Sequence, residues 1–215
     1  MTVYEAMSVS PTPLIRDRVC HVCYARAIGG TLPHTLSQPI LRYLGMPYSF
    51  EEWKGIVENL LRNTQLELND STATLSVAET LLTNLKFNSN GMNARSYIAI
   101  RPRIELIMEL LLNMGIHPTI VTLDALLSIA CTMGTNDDIE EALSKYSAYK
   151  MKYSQYTFNT LLNRYANDAN TTAASTLLEL MHTDDVRVDV TTLNTLVKLF
   201  IKVKNMEGAK KVTNQ

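Results

Sequence analysis

Two asparagines 35 residues apart are the residues of this chain whose type and spacing point most clearly to a chemical task. Asn159 lies in the segment TFNTLLNRY and Asn194 in TLNTLVKLF, at matching positions of two similar stretches. An amide side chain carries both hydrogen-bond donors and an acceptor, which suits recognition of a planar polar group. A polar residue that recurs on a recurring segment predicts a repeated structural unit.

The same spacing extends one copy further back along the chain. Thr122 opens TLDALLSIA and lies 35 residues before Thr157, which lies 35 residues before Thr192. A period of about 20–50 residues is typical of solenoids, propellers and arrays. Each copy predicts the start of a helix, and each unit reads as two antiparallel helices joined by a tight turn. Neither helix buries its apolar stripe alone, so stacked pairs are expected, and the predicted fold class is an all-α solenoid.

Apolar spacing and turn residues place the individual helices. The predicted helices are 14–27, 39–44, 50–63, 72–87, 102–113, 120–132, 139–150, 156–168, 171–183, 191–204 and a last one from 206. Pro102 is expected in the first turn of its helix, and Gly115 is expected to end that helix in a left-handed cap. The segment GTNDD at 134–138 predicts a long turn and a short helix after it. Residues 1–103 thus read as an irregular helical region and 104–215 as an ordered array.

Composition excludes several classes of protein. A hydrophobic content of 46% with 19% charged residues is typical of a folded domain. The sequence contains no run of 18 apolar residues, so a membrane span is not predicted. Three scattered cysteines, Cys20, Cys23 and Cys131, do not form a disulfide framework, so a reducing compartment is the simpler interpretation.

Charge is unevenly distributed although the net charge is only −1. Residues 1–119 carry ten basic and ten acidic side chains, and 120–185 carry four basic and nine acidic ones. Residues 186–215 carry six basic and two acidic side chains, which marks a local basic region or an ordinary solvated helix face. The acidic excess in the middle argues against a long electropositive groove.

No motif predicts catalysis, a cofactor or a metal centre. The pair Cys20 and Cys23 forms a CxxC, but a zinc site needs about four ligands and His34 is the nearest further candidate. Two cysteines three residues apart on a helix are more often core residues. The sequence contains no glycine-rich phosphate loop, no HExxH and no GxSxG, so an enzyme is not predicted.

The repeated segments resemble the pentatricopeptide repeat. Besides TFNTLL and TLNTLV, the matching features are Ala174 and Ala209 early in second helices, Met181 late in one, and the closing segments GIHPT at 115–119 and DVRVD at 185–189. The resemblance covers roughly residues 104–212. The tetratricopeptide repeat, with a 34-residue period and different landmarks, fits the sequence less well.

The resemblance implies a right-handed superhelix whose first helices line a groove for single-stranded RNA. In that family each repeat reads one base with a residue of its first helix and the last residue of the repeat. On this chain the pairs are Asn159 with Asp189 and Asp124 with Ser154, and Asn194 begins a third pair whose partner is expected beyond residue 215. The Asn–Asp pair resembles the family's choice for uracil, whereas Asp124 with Ser154 matches no common combination.

The resemblance also implies residues that contact the rest of a nucleotide. Val121, Tyr156 and Thr191 would sandwich the bases, and Tyr156 offers the best stacking surface. Lys198 and Lys202 would contact phosphates. The alternatives are that the asparagines satisfy hydrogen bonds of a first helical turn and that the lysines are ordinary surface charges.

Two functions are consistent with these features. The first is a single-stranded RNA-binding protein of mitochondria or plastids that acts in RNA stability, processing or translation. The alternative is an architectural subunit of a mitochondrial ribosome or similar ribonucleoprotein, in contact with ribosomal RNA or protein subunits. The mitochondrial location, with a plastid as alternative, follows from the resemblance, and the chain is expected to be a piece of a longer one.

Overall fold

The fold class predicted from the sequence is confirmed by a computed structural model that describes residues 50–68, 71–87 and 94–213. Every regular element in these ranges is an α-helix. The helices predicted at 14–27 and 39–44, and the Cys20–Cys23 pair, lie outside the described residues. The described residues fall into two compact units, one of them containing residues 50–87 and 98–118 and the other 94–97 and 119–213.

The first unit contains three helices, α1 (Phe50–Leu68), α2 (Ser71–Phe87) and α3 (Ala94–Asn113), the last of which begins in residues assigned to the second unit. Helices α1 and α2 pack against each other. Their apolar stripes supply fully buried side chains such as Trp53 and Leu82. The guanidinium of Arg103 lies 5.4 Å from the centre of the Trp53 ring, so this buried cation is held against an aromatic face.

The predicted start of α3 is wrong, because the helix begins at Ala94 and Pro102 lies inside it. A proline lacks the amide hydrogen and crowds the carbonyl four residues earlier, which favours a helix start at that point. Here the proline is exposed, and the Arg103 guanidinium donates a 2.8 Å hydrogen bond to the Ala99 carbonyl beside it. The Arg103 side chain therefore bonds to the backbone next to the hydrogen bond that Pro102 cannot make, and the helix extends back to Ala94.

The second unit is an array of three helix pairs. They are α4 (Ile120–Met133) with α5 (Asn136–Ala148), α6 (Gln155–Asn167) with α7 (Thr171–Thr183), and α8 (Val190–Lys202) with α9 (Met206–Thr213). Each first helix packs against its own second helix, and α6 packs against both α4 and α8. We call α4, α6 and α8 the first-helix row. The pairs predicted from the 35-residue period are confirmed.

The long turn predicted at GTNDD is wrong, since α5 has 13 residues, as many as α7. Thr135 caps α5, and Asp138 accepts the Thr135 amide hydrogen at 2.7 Å. Most of the polar segment is therefore cap and first turn. The preceding Gly134 allows the close approach, because a β-carbon there would lie 2.8 Å from the Ala130 carbonyl oxygen.

The first helices of the array all begin with the same reciprocal cap. The cap residues Thr119, Ser154 and Asp189 are 35 residues apart, and each accepts the amide hydrogen of a threonine three residues on. That threonine, Thr122, Thr157 or Thr192, receives the amide hydrogen of the cap residue in return and is fully buried. The caps thus fix where each repeat starts.

The helix ends also repeat, including where glycine is missing. Gly115 has a φ of 71°, as predicted, and the equivalent Lys150 and Asp185 have 54° and 53°. The ends of α6 and α8 place Ala169 and Lys204 at 55° and 58°. In every case the next amide donates to a carbonyl five residues earlier at 2.8–2.9 Å. The left-handed cap therefore persists at positions where a side chain makes it costly.

Replacing Ala169 by glycine is expected to raise the free energy of unfolding by about 1 kcal/mol, since glycine adopts this conformation without the β-carbon clash. Urea denaturation followed by circular dichroism measures the change. The matched control, Ala125→Gly in the interior of α4, is expected to lower stability by about 1 kcal/mol. Equal destabilisation by both substitutions contradicts the left-handed turn.

Candidate nucleic-acid interface

Asn159 and Asp189, paired on the basis of the resemblance, are in direct contact. The Asn159 amide nitrogen donates to the two Asp189 carboxylate oxygens at 3.3 and 3.5 Å. The Thr192 hydroxyl donates to the Asn159 amide oxygen at 2.7 Å. Both the nitrogen and the oxygen of the Asn159 amide are thereby bonded to residues at the start of α8, which fixes the orientation of the amide group.

This network leaves one donor and one acceptor side by side. The Asn159 amide nitrogen carries two hydrogens, and within the part of the chain that the structure describes it bonds only to Asp189, so one hydrogen remains for a ligand. One Asp189 oxygen lies 3.5 Å from the Asn159 amide nitrogen. The other accepts the Thr192 amide hydrogen at 2.8 Å and lies 2.9 Å from the Thr192 hydroxyl, whose single hydrogen goes to Asn159. The carboxylate also accepts the backbone amide of Thr191, and with about four acceptor sites it keeps capacity for a ligand. Both residues are half-buried, so the pair can present a fixed donor–acceptor edge to a ligand.

Asp189 stays ionised in this arrangement. Its pKa lies below the ordinary aspartate value, first because it accepts the backbone amide and then the hydroxyl of Thr192. It also lies at the positive end of the α8 dipole. A lowered pKa means that the stabilising contribution of this carboxylate is present above the unfolded-state pKa and is lost as the pH falls through the folded-state value.

Asp124 and Ser154 also come together, but with different chemistry. One Asp124 oxygen accepts the Thr157 hydroxyl at 2.5 Å and the Tyr146 hydroxyl at 2.7 Å. The other oxygen accepts the Ser154 hydroxyl at 2.9 Å. Burial, and then the hydrogen bond to Asp124, raise the pKa of Tyr146, so its hydroxyl remains a donor.

The sequence interpretation missed three residues of these networks, Thr157, Thr192 and Tyr146. The two threonines had a signal, since they recur every 35 residues, but the recurrence served only to align the repeats. Tyr146 had none, because the equivalent position of the next repeat holds Met181.

The three residues predicted to contact base faces are exposed on successive first helices. Val121 of α4 is 55% exposed, Tyr156 of α6 is 50% exposed, and Thr191 of α8 is exposed as well. The Tyr156 hydroxyl donates to the Ser128 hydroxyl of α4 at 3.2 Å. The ring is thus anchored at its polar end while half of its surface stays available. Asn194 of α8 is also exposed.

Lys198 and Lys202 lie against the polar side of α6 and remain exposed. The Lys198 ammonium group donates to the side-chain oxygens of Asn163 and Asn167 at 3.3 and 2.7 Å. The Lys202 ammonium group donates to the Asn167 carbonyl. Both partners are neutral, so the two positive charges are not cancelled within these contacts.

Arg164 of α6 has a structural role instead. It forms a 2.6 Å ion pair with Asp168 and donates to the carbonyls of Cys131 and Gly134 at 3.1 and 3.2 Å. The arginine therefore ties the end of α4 to α6, and its charge is balanced locally.

The acidic excess of residues 120–185 does not lie on the first-helix row. Within 120–185 those helices contain one carboxylate, Asp124, and one cation, Arg164. Helix α8 adds Lys198 and Lys202, with Asp189 as its cap residue. The other eight carboxylates of the segment are on second helices and turns: Asp137, Asp138, Glu140, Glu141, Asp168, Glu179, Asp184 and Asp185. The two sides of the array therefore differ in charge, and the first-helix row is the more favourable surface for an anionic ligand.

The described ranges contain neither a metal cluster nor a membrane-spanning helix. No three His, Cys, Asp or Glu side chains within 50–68, 71–87 and 94–213 are grouped so as to hold a metal ion. None of the helices in those ranges combines the length and apolar character needed to cross a membrane.

These features define a helical-repeat protein with a polar surface along its first helices. The pentatricopeptide repeat domain matches residues 176–215. The fold matches crystal structures of the pentatricopeptide repeat protein PPR10, one in complex with an 18-nt psaJ RNA element and one a triple Cys→Ser variant with the same element. In both comparisons the TM-score is 0.55 and the sequence identity 21%, over 97% of this chain and 28% of PPR10.

The chain thus contains a pentatricopeptide repeat and has the fold of pentatricopeptide repeat proteins, which confirms the resemblance drawn from the sequence. It spans less than a third of the PPR10 chain that it matches. A structure of PPR10 from maize matches with a TM-score of 0.45 and 19% identity. No curated protein matches the sequence.

Replacing Thr192 by valine is expected to lower the free energy of unfolding by about 1–2 kcal/mol, because a buried hydroxyl that serves the cap and Asn159 is removed. Thermal or urea unfolding measures the effect. The control is Thr172→Val, which changes an exposed threonine in the first turn of α7 and is expected to shift stability by less than about 0.5 kcal/mol. Equal effects of the two substitutions contradict a stabilising link at Thr192.

Proposed function

We propose that this chain binds single-stranded RNA along the first-helix row and reads a base at the Asn159–Asp189 pair. The observation that carries the proposal is the fixed, half-buried donor and acceptor of that pair. The fold it shares with PPR10, which was crystallised with an RNA element, supports the same class of ligand. Single-stranded bases expose the edges that such a pair can bond.

Uracil complements this pair best among the pyrimidines. Its N3–H donates where the Asp189 carboxylate accepts, and its neighbouring carbonyl accepts where the free Asn159 hydrogen donates. Cytosine presents an acceptor nitrogen at the equivalent ring position, which faces the carboxylate unfavourably. Because Asp189 is ionised at neutral pH, this discrimination does not depend on a proton taken up by the protein.

Tyr156 provides a stacking surface beside the reading pair. Its ring is half exposed and held by Ser128, so little conformational freedom is lost when a base covers it. Stacking on an aromatic side chain is typically worth about 1–3 kcal/mol per base. Val121 and Thr191 offer smaller apolar contacts at the equivalent places of α4 and α8.

Lys198 and Lys202 are proposed to contact phosphates. They are exposed cations whose partners are amide and carbonyl oxygens, which a phosphate oxygen can replace. They contact Asn163 and Asn167, which lie one and two turns beyond Asn159 on α6.

The proposed setting is a mitochondrion or plastid, with a role in RNA stability, processing or translation. Its support is the family resemblance of residues 104–212 and the match at 176–215.

A second candidate function is an architectural role in a ribonucleoprotein such as the mitochondrial ribosome. The observation in its favour is the acidic side of the array, where α5 alone exposes Asp137, Glu140 and Glu141. Such a surface suits a basic protein partner rather than RNA. Under this function, substitutions on α5 weaken assembly and substitutions at Asn159 do not.

Replacing Asn159 by alanine is expected to reduce the preference for uracil over cytosine by about tenfold, since the variant lacks the donor that the O4 carbonyl of uracil accepts and that the amino group of cytosine cannot accept. Fluorescence anisotropy with short single-stranded RNAs that differ at one nucleotide measures the preference. Asp189 keeps its bonds to Thr192 in this variant, so the helix cap is retained.

The matched control is Asn136→Ala, which removes an exposed asparagine of the second helix α5. It is expected to leave RNA affinity and base preference unchanged. Unchanged affinity after Asn159→Ala combined with Asn194→Ala contradicts base reading. Wild-type protein that binds no single-stranded RNA at moderate salt favours the architectural function.

Replacing Lys198 and Lys202 by glutamine is expected to weaken binding to all RNA sequences alike. The slope of log affinity against log salt should become shallower by about 0.7 for each phosphate that the protein no longer neutralises. Salt titrations of wild type and variant measure the difference. Lys210→Gln with Lys211→Gln on α9 is the charge-matched control, and equal slope changes in the two double variants contradict a specific role for α8.

A further inference from the structure

Tyr146 distinguishes the first helix pair of the array from the second. Its hydroxyl reaches from α5 to Asp124 on α4 and donates at 2.7 Å. The equivalent residue 35 positions later is Met181, which is buried and has no hydrogen to donate. Met181 therefore cannot give Asn159 the hydrogen bond that Tyr146 gives Asp124.

The hydrogen bonds around Asp124 leave no donor for a base. The single hydroxyl hydrogens of Ser154, Thr157 and Tyr146 can all be assigned to the Asp124 carboxylate. A carboxylate has about four acceptor sites, so roughly three of them are filled by the protein. The Asn159–Asp189 pair, in contrast, keeps one amide hydrogen and one carboxylate oxygen for a ligand.

Packing holds Tyr146 in this place. The residue is 1% exposed, and its ring meets Tyr153 edge-on with 5.2 Å between the ring centres. Tyr153 in turn meets Phe158 edge-on at 5.8 Å. The hydroxyl cannot turn away from Asp124 without disturbing this aromatic cluster, so an approaching base does not displace it easily.

We propose that Tyr146 closes the Asp124–Ser154 position, so that bound RNA passes this repeat without having its base read there and base selection starts at Asn159–Asp189. The proposal rests on the proposed RNA-binding function. Tyr146 acts here as a specificity-determining residue that fills the carboxylate from the protein side. The Asp124 cluster then serves to join α4 to α6 rather than to recognise a ligand.

The first test uses the wild-type chain and short single-stranded RNAs in which each nucleotide in turn is varied among the four bases. The nucleotide whose identity affects the affinity of the wild type but no longer affects that of Asn159→Ala is the one bound at the Asn159–Asp189 pair. At the neighbouring nucleotide that faces Asp124, affinities for the four bases are expected to agree within about twofold. A preference of about tenfold or more there overturns the proposal.

The second test installs the reading pair with and without the tyrosine. Asp124→Asn with Ser154→Asp reproduces the Asn–Asp pair but keeps the Tyr146 hydroxyl, which can accept an amide hydrogen of the new asparagine, and no new base preference is expected. Adding Tyr146→Met, the residue of the next repeat, is expected to create a preference for uracil of about tenfold at one neighbour of the reference nucleotide. Tyr146→Phe, which removes only the hydroxyl, replaces Tyr146→Met if that variant does not fold by circular dichroism.

The outcomes separate this inference from the proposed function. Wild-type protein that binds no single-stranded RNA overturns both. If the wild type binds RNA and the Asp124→Asn, Ser154→Asp variant that keeps Tyr146 gains a new base preference, the proposal about Tyr146 is overturned and the proposed function is not. The proposal about Tyr146 is also overturned if the variant with the new Asn–Asp pair and without the Tyr146 hydroxyl folds but shows no base preference.

Discussion

One buried hydroxyl links the second and the third repeat of the array to the repeat before it. Thr157 and Thr192 complete the caps of their own helices and also donate to Asp124 and Asn159 on the preceding first helix. A single bond of this kind contributes only about 1 kcal/mol, but a buried hydroxyl without partners would cost more than that. The start of each repeat and its contact with the previous one are therefore set by the same atom. This explains why the 35-residue spacing is strict where the helix ends vary in sequence.

The same network ties stability to binding. Asn159 and Asp189 form part of the contact between α6 and α8, and they also carry the free donor and acceptor of the candidate site. A ligand at this pair meets groups whose orientation has been fixed by the fold, so little freedom is lost on binding. Asp124 shows the other outcome of the same geometry. There the protein supplies three donors of its own, and the position becomes a structural junction.

The sequence predicted what depends on local and recurring residues. The helix pairs followed from segments that recur every 35 residues. The reciprocal caps were not predicted, although each involves residues only three positions apart. The position of Pro102 within α3 was not predictable from local rules, since a side-chain contact from Arg103 accompanies the break in the ladder. The Asn159–Asp189 pairing came from the family resemblance. Tyr146 escaped prediction because it acts across 22 residues and occurs in one repeat only.

Charge balance along the sequence gave a misleading picture of the surface for a related reason. A 35-residue window always contains both helices of a pair, so it averages two sides of the array that the fold separates. On the first-helix row, Asp124 is bonded within the protein and Arg164 is paired with Asp168. The lysines of α8 are therefore the cations of this row that bond only to neutral groups. These lysines lie against α6, the helix that carries Asn159. The proposed phosphate contacts and the proposed base contact therefore both involve α6 and α8, the two helices whose Asn159–Asp189 pair keeps a donor and an acceptor for a ligand.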